Sequence, residues 1–397
     1  MSLQELVVID VTFSNLSQFC KELPTLTALT SLDIRYPQTK DRQVAITGQH
    51  SAAFAEALSA CTALASLTLG FPQTIREVQM GAYTRQDTTR PFLNGSVVSA
   101  IAALSSLTFL GFSGRADTKI HQRDLSHLWK GMSQLVHLSI TSQGSWERYA
   151  STLTQLTRLE HFHLCIPTCI PTCIPSFAPI PRVAPRQGDH LTQALPDSLT
   201  SLKIEGPFME LPQLKHLTNL RSLKCDVFDL EGQHLTSMAF LTSLHTLNIE
   251  CFGAASSRAL HSLAREWKED STVELLSALS AECLTRLRMS GLEFPLSAVP
   301  HFERLAALQH LDFGLARSPQ FPGVLSNHVS SLVELRTLRV RSAGVAAASC
   351  VDEEWRGLQR RLSQLPHFIS DESIVGEVRG LLGSAPGNAH CFVVRAE

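Results

Sequence analysis

Apolar residues recur along the chain in one pattern, Leu-x-x-Leu-x-apolar, at a mean spacing of about 30 residues. In most copies a further leucine lies three residues earlier, so a spacing of three gives way to a spacing of two, as at Leu244, Leu247 and Ile249. The first spacing suits a helix or a tight turn, and the second suits a strand whose alternate side chains share one face. Each copy therefore predicts a turn that leads into a short, half-buried strand.

The pattern occurs twelve times, and the context around it repeats as well. A single copy is weak, because it arises by chance in any leucine-rich helix, but twelve copies indicate a repeat architecture. The copies are Leu3/Leu6/Val8, Leu29/Leu32/Ile34, Leu64/Leu67/Leu69, Leu107/Leu110/Phe112, Leu135/Leu138/Ile140, Leu159/Phe162/Leu164, Leu199/Leu202/Ile204, Leu220/Leu223/Cys225, Leu244/Leu247/Ile249, Leu284/Leu287/Met289, Leu308/Leu311/Phe313 and Leu335/Leu338/Val340.

These copies resemble the leucine-rich-repeat family over residues 1–341, as an irregular intracellular type. The resemblance implies an α/β solenoid, a horseshoe with a parallel concave β-sheet and with helices and loops on the convex side. One repeat of this family cannot bury its own leucines, whereas stacked repeats form a continuous core.

The chain departs from the family pattern where the strands end. The asparagine that should follow the first leucine by eight residues is absent, and Pro37, Pro72, Pro167 and Pro207 occupy its position in four copies. Because proline has no amide donor, we expect the asparagine ladder to be missing and the strand to stop at each of these prolines.

Helices, insertions and a cap are predicted between and after the strands. Residues 51–60, 95–101 and 273–279 combine good helix formers with apolar faces. Longer intervals predict insertions at residues 73–92, 168–190 and 253–272, and residues 166–185 are proline-rich and predict an extended loop. Residues 342–397 predict a C-terminal helical cap, with helices over 351–362 and around 374–382 and a strand-like segment over 391–394.

Charge and cysteine content narrow the class of partner. The chain has 34 Lys and Arg against 36 Asp and Glu, a net charge of −2, which argues against a nucleic-acid or membrane-surface binder. Its 10 cysteines are scattered, which predicts buried thiols in a reducing compartment, the cytoplasm or the nucleus. No apolar run is long enough for a membrane span, and the first residues do not have the pattern of a signal peptide.

Possible metal ligands fall together on one predicted strand. His161, His163 and Cys165 alternate, so their side chains would share a face, and His137 would lie beside His161 on the preceding strand. Imidazole and thiolate are ordinary zinc ligands. The simpler interpretation is a solvated polar strand followed by a proline-rich loop. The sequence therefore predicts no metal and no cofactor, and it leaves zinc binding at these residues open.

One imitation of a catalytic motif is present. Asp312, Phe313 and Gly314 look like the metal-binding segment of protein kinases. The catalytic loop, the glycine loop and the strand lysine that a kinase requires do not occur in the required order. Asp312 and Phe313 also fill the fifth and sixth positions of the eleventh copy. We therefore predict a protein without catalytic activity.

The side chains that point outward from the predicted strands give the candidate site. In copies ten to twelve, the outward positions hold four arginines and one aspartate. Like charges on neighbouring strands repel unless an opposite charge neutralises them. Arginine is also enriched at interface hot spots. In copies seven to nine, lysines run beside acids that could neutralise them. The alternative is a merely solvated face. The predicted partner-binding residues are Lys203, Lys224, Glu250, Arg286, Arg288, His310, Asp312, Arg339 and Arg341.

Together these features predict a non-catalytic protein–protein interaction module that binds a protein partner on its concave face, as a monomer or as a subunit of a hetero-complex. The alternative is a structural or substrate-recognition subunit of a larger complex, of the ubiquitin-ligase adaptor type. No F-box-like segment precedes Leu3, which counts against an adaptor. An uncovered first strand would be an aggregation hazard, which a neighbouring subunit could cover.

Overall fold

The computed structural model describes residues 3–9, 13–35, 48–70, 94–113, 122–141, 152–165, 195–208, 214–227, 236–251, 269–315, 321–329, 331–342 and 391–395. The chain divides into two compact units. The first comprises Met1–Pro171, His190–Leu199 and Lys203–Glu205, and the second comprises Thr172–Asp189, Thr200–Leu202 and Gly206–Glu397. The domain boundaries expected at 1–341 and 342–397 stay predictions.

Every copy of the repeat pattern forms one β-strand, which confirms the prediction of twelve strands. The strands are β1 (Glu5–Ile9), β2 (Ser31–Arg35), β3 (Ser66–Gly70), β4 (Phe109–Ser113), β5 (His137–Thr141), β6 (His161–Cys165), β7 (Ser201–Phe208), β8 (Ser222–Val227), β9 (Thr246–Cys251), β10 (Arg286–Phe294), β11 (His310–Leu315) and β12 (Thr337–Ser342). In the first unit, β1 to β6 pair in chain order and are parallel. In the second unit, β8 to β12 do the same. Residues of β7 belong to both units.

Buried leucines set the register of this pairing. Since successive strand residues point to opposite faces, a slip of one residue would turn every leucine to solvent. In the second unit, the side chains that pair in one row are all at most 2% exposed: Leu223, Leu247, Leu287, Leu311 and Leu338. The equivalent row of the first unit consists of Leu32, Leu67, Leu110, Leu138 and Phe162.

Helices or 3₁₀ turns connect many of the strands. The α-helices are α1 (Phe13–Glu22), α2 (Gly48–Ser59), α3 (Gly95–Ala102), α4 (Gln122–Gly131), α5 (Glu269–Ala278) and α6 (Phe321–Val329). The 3₁₀ helices are Leu23–Thr25, Leu153–Gln155, Thr236–Phe240 and Leu296–Arg304. The three predicted helices are confirmed as α2, α3 and α5, whose apolar faces complete the core with Phe54, Ile101 and Leu275. In the described part of the chain, no helix combines the length and apolar character that a membrane span requires.

Parallel strands, one for each repeat, with helices and turns between them confirm the predicted α/β repeat fold. A thirteenth strand, β13 (Cys391–Arg395), pairs antiparallel with β12 and confirms the strand predicted near the C-terminus. The cap helices predicted at 351–362 and 374–382 lie outside the described residues. So do the insertions at 73–92 and 168–190 and most of the third, of which residues 269–272 belong to α5.

The expectation that proline stops the strand is wrong at Pro207, because β7 continues to Phe208. Gly206 has a φ of 140°, a backbone conformation that favours glycine. Its N–H donates to Oδ2 of the buried Asp226 at 3.1 Å. The carboxylate supplies an acceptor just before the proline, so the backbone departs from regular geometry without losing that hydrogen bond. Pro37, Pro72 and Pro167 lie outside the described residues.

Two helices approach each other closely at Gly131, the last residue of α4. A Cβ at this position would lie 2.7 Å from the carbonyl oxygen of Ala102 and 2.8 Å from its Cβ. These distances are too short for non-bonded atoms, so the ends of α3 and α4 would have to separate. We therefore expect Gly131→Ala to lower the free energy of unfolding by about 1–3 kcal/mol, measured by chemical denaturation.

The matched control is Gly95→Ala, because Gly95 is exposed at the first position of α3. This control should change the free energy of unfolding by less than about 0.5 kcal/mol. Equal stability of both variants and the parent protein would contradict the close helix contact.

Candidate functional site

The first, third and fifth residues of each strand form the solvent face of the sheet, because they alternate with the buried leucines. Strand pairing carries these residues into rows that run from strand to strand. In the second unit, the first-position row contains Thr246, Arg286, His310 and Thr337. The third-position row contains Asn248, Arg288, Asp312 and Arg339. In these two rows, pairing therefore brings together five of the predicted site residues on β10, β11 and β12, and the sixth, Arg341, lies in the fifth-position row of β12.

In the third-position row, Asp312 is shared by two arginines. Its Oδ2 lies 3.6 Å from Nε of Arg288 on one side and 3.9 Å from Nη1 of Arg339 on the other. The carboxylate side chain is only 16% exposed, whereas the arginines are 39% and 41% exposed. One acid therefore offsets much of the repulsion between two guanidinium groups and holds both at the surface of the sheet.

In the first-position row, His310 lies between cations. Arg286 is its direct neighbour on β10, and Arg336 immediately precedes its neighbour Thr337 on β12. Burial lowers the pKa of His310, and the charges of Arg286 and Arg336 lower it further. His310 is therefore a neutral imidazole near pH 7, and it can both donate and accept a hydrogen bond.

Arg341 occupies the fifth-position row on β12, opposite Gly314 of β11. Its side chain lies outside the described residues. On the other side of β12, Arg341 pairs with Cys391, Arg339 pairs with Val393, and Thr337 pairs with Arg395.

The remaining predicted site residues lie apart from this arginine cluster. In the first unit, Nζ of Lys203 lies 3.0 Å from Oε1 of Glu205. This lysine therefore forms an ion pair with a neighbouring acid, as the sequence predicts. In the second unit, Lys224 on β8 pairs with Asn248, and Glu250 on β9 pairs with Asp226 and with Ser290. Lys224 and Glu250 border the arginine rows of the second unit rather than join them.

A row of rings crosses three strands of the first unit. His137 and His161 stack with ring centroids 4.1 Å apart and ring planes inclined by 6°. Phe109 on β4 adjoins His137 with a centroid distance of 6.1 Å. Burial lowers the pKa of His137, and His161 lowers it further, whereas Glu160 acts in the opposite direction.

Next to these rings, hydrogen bonds join a serine, a histidine and a glutamate. Oγ of Ser139 lies 3.2 Å from Nδ1 of His163, and Nε2 of His163 lies 2.9 Å from Oε2 of Glu205. A hydrolase with such a triad also needs amide donors for the oxyanion. The amides around Ser139 and His163 belong to the parallel ladder between β5 and β6. We therefore interpret this network as a fixed polar surface.

The three suspected zinc ligands do lie on one strand, β6, and His137 does lie beside His161. His137 and His161, however, present parallel rings to each other, and His163 bonds to Ser139 and Glu205. Within the described residues, no group of three or more His, Cys, Asp and Glu could hold a metal ion. The kinase-like Asp312 and Phe313 sit in their repeat positions, with Phe313 fully buried.

Sequence reasoning missed Arg336 and the Ser139–His163–Glu205 contacts. Arg336 comes directly before β12, outside the alternating positions that were counted as solvent-facing. The repeat spacing could have indicated this residue, because the residue before each strand lies beside the equivalent residue of the neighbouring repeat. The Arg336 amide donates a hydrogen bond to the carbonyl of Gln309, the residue before β11, at 2.8 Å. The contact between His163 and Glu205 joins a third-position residue of β6 to a fifth-position residue of β7. Sequence reasoning compared only residues in the same row, so it did not predict this contact.

The stacked histidines give a test by titration. We expect His161→Gln to raise the pKa of His137, because a like charge next to its ring is removed, as measured by NMR titration of the His137 ring. Since the folded-state pKa of His137 lies below its ordinary value, stability is lost as the pH falls through that pKa. This loss should become smaller in the variant.

The matched control has the opposite sign. Glu160→Gln should lower the pKa of His137 still further, because Glu160 favours the charged ring. A pKa of His137 that stays the same in both variants would show that the stacked arrangement is wrong.

The comparisons with known proteins find structures but no sequence relatives. No protein family and no curated protein matches the chain. Among solved structures it is similar to the leucine-rich repeat-containing protein LegL7 from Legionella pneumophila, with 12% identity, a TM-score of 0.44 and coverage of 90% of this chain and 98% of that chain. A chain of the TLR13–ssRNA13 complex shares 15% identity, with a TM-score of 0.38 and coverage of 84% and 54%. A chain of the Drosophila Toll–Spatzle complex shares 13% identity, with a TM-score of 0.35 and coverage of 84% and 49%.

These similarities are too weak to support a conclusion on their own, and the functions of those proteins do not transfer. The fold is assigned from this chain itself, through twelve repeats that each form one strand and through leucines that pair in register. By its own repeats and its own sheet, the chain has the leucine-rich-repeat fold.

Proposed function

We propose that this chain is a non-catalytic protein-binding module and that the solvent face of β10, β11 and β12 contacts the partner. The observation that supports this most directly is the sharing of Asp312 between Arg288 and Arg339. It places one arginine on each side of a carboxylate, while both arginines stay accessible.

The energetics of association favour such a surface. Binding costs conformational entropy when side chains and loops become ordered. Strands that are already paired lose little of that freedom, and the shared carboxylate restricts the two arginines before the partner arrives. Arginine also combines bidentate hydrogen bonding with a weakly hydrated, planar charge, which explains its enrichment at hot spots. The neighbouring Lys224 and Glu250 then form a polar rim.

We also propose a reducing compartment, cytoplasmic or nuclear. Five cysteines whose side chains are described are free thiols, and three of them are buried: Cys20, Cys61 and Cys225. Burial raises the pKa of Cys20 to about 11 and also raises the pKa of Cys61. Such thiols are poor nucleophiles and behave as small apolar side chains, which supports a structural role for them.

Partner capture tests the proposed face. We expect the triple variant Arg288→Gln/Asp312→Asn/Arg339→Gln to lose a protein that the parent chain recovers from its native source, as measured by affinity purification and quantitative mass spectrometry. Neutralising the three charges together leaves no carboxylate or guanidinium without its counter-charge, so the melting temperature should stay close to that of the parent. Charge reversal at the arginines would instead place glutamates beside Asp312.

The control for this experiment is Lys215→Gln, which removes an exposed charge from a turn of the same unit. It should recover the same proteins as the parent chain. If the triple variant also recovers them all, the arginine face is only solvated surface and the proposed function is wrong.

A second candidate function, a structural subunit of a larger complex, is favoured by β1. Two of its three exposed side chains are apolar, Val7 by 47% and Ile9 by 64% exposed, and Leu3 before the strand is 46% exposed; the third is Glu5. Apolar side chains that are grouped in this way on an edge strand are typical of a surface that another chain covers.

Self-association distinguishes the two functions. If β1 is normally covered, the isolated chain should form oligomers that dissociate in Val7→Thr/Ile9→Thr, as measured by analytical ultracentrifugation. Threonine keeps the strand propensity and removes apolar surface, and Val333→Thr, at another exposed valine, should have no effect. A parent chain that stays monomeric over the whole concentration range would exclude the structural role of β1.

A further inference from the structure

Two arginines at the edge of the arginine face differ from the pair that shares Asp312. Arg286 and Arg336 are exposed and lie on either side of His310. Within the described residues, no carboxylate lies within ion-pair distance of either guanidinium group, whereas Asp312 serves Arg288 and Arg339. Among the described side chains of this face, the uncompensated positive charge is therefore concentrated at Arg286 in the first-position row and at Arg336 just before it.

The distance between these arginines follows from the sheet. Arg286 belongs to β10, Arg336 precedes β12, and β11 lies between them, so their backbones are separated by two strand spacings, roughly 10 Å. Both charges act on the ring of His310, which belongs to the strand between them. The two arginines thus flank an imidazole ring on the strand between them.

We propose that Arg286, His310 and Arg336 form a carboxylate-binding cleft that takes an acidic segment of the partner protein. This inference rests on the proposed function and names the chemistry of its partner. The two guanidinium groups each bind one carboxylate, and His310 donates a hydrogen bond from its ring N–H. In an extended segment, side chains two residues apart share a face and are roughly 7 Å apart. Glutamate or aspartate at two such positions fits the cleft.

A protein segment suits this cleft better than a nucleic acid. A nucleic acid presents a continuous row of phosphates and requires a basic stripe along its path. Here the next row contains Asp312, and the fifth-position row contains Glu250 on β9. A phosphate backbone that followed the strands from the cleft would meet these acids, whereas a segment with two carboxylates would not.

Direct titration tests the cleft on the full-length chain. The probe is the peptide acetyl-Gly-Glu-Gly-Glu-Gly-amide, and the comparison peptide has glutamine in place of both glutamates. We expect the acidic peptide to bind the parent chain, and Arg286→Gln/Arg336→Gln to weaken it by at least about tenfold in isothermal titration calorimetry, because two charge-assisted hydrogen-bonded pairs are lost. Lys215→Gln should bind like the parent, and the glutamine peptide should not bind.

A second measurement follows the pKa of His310 within the cleft when the peptide binds. Carboxylates next to His310 oppose the two arginines, so saturation with the acidic peptide should raise the pKa of His310, as followed by NMR titration of its ring. His137, on the same face of the first unit, serves as the internal control and should not respond. Because Arg286 and Arg336 are both exposed, their replacement should leave the melting temperature unchanged.

Every other outcome overturns the inference. It is wrong if the parent chain does not bind the acidic peptide, or if the double variant binds it equally well. It is also wrong if a single-stranded oligonucleotide displaces the peptide and itself depends on Arg286 and Arg336, since the cleft then belongs to a nucleic-acid site. These failures are separate from failure of the proposed function, which is decided by the capture experiment at Arg288, Asp312 and Arg339.

Discussion

Apolar contact between neighbouring repeats is the interaction on which this molecule depends. Burial of one leucine side chain contributes roughly 1.5–3 kcal/mol, and a single strand with its turn cannot supply the covering surface by itself. Leu287 is covered because Leu247 and Leu311 lie beside it in register. Stability therefore passes from each repeat to the next, and the strands stay parallel because each repeat arrives from the same direction.

The polar chemistry of the surface is a consequence of this packing. Once the leucines fix which residues face inward, the residues between them are fixed on the other side, strand after strand. Arg288, Asp312 and Arg339 meet because three neighbouring strands place their third residue at the same height of the sheet. The same geometry stacks His137 on His161 in the first unit. Function can therefore evolve on one face without disturbing the core on the other.

Much of the fold could be predicted from the sequence, because the apolar spacing differs between turn and strand and recurs twelve times. Rows of outward residues could be predicted from the same spacing. The connections were harder, since Leu296–Arg304 forms a 3₁₀ helix that contains Pro300, and its fold depends on packing rather than on helix propensity. Pro207 misled the prediction because the Asp226 side chain accepts the neighbouring amide, and no local rule anticipates an acceptor twenty residues away.

The ion pairs of the candidate site could likewise be predicted only in part from the sequence. Counting residues indicated four arginines against one aspartate, but the count could not say which arginines the aspartate serves. That depends on side-chain reach, which selects Arg288 and Arg339. Arg336 was missed because it lies just before its strand, where backbone position alone does not reveal which way a long side chain extends.

The antiparallel strand β13 affects how further strands could add to the edge of the sheet. A parallel repeat array ends in a strand edge onto which another molecule could add, and repeated head-to-tail addition would give a filament. Along β12 that edge is already occupied by residues 391–395 of the same chain. A second copy that continued the array in the same direction would meet an antiparallel strand there, so β13 ends the parallel ladder of the repeats.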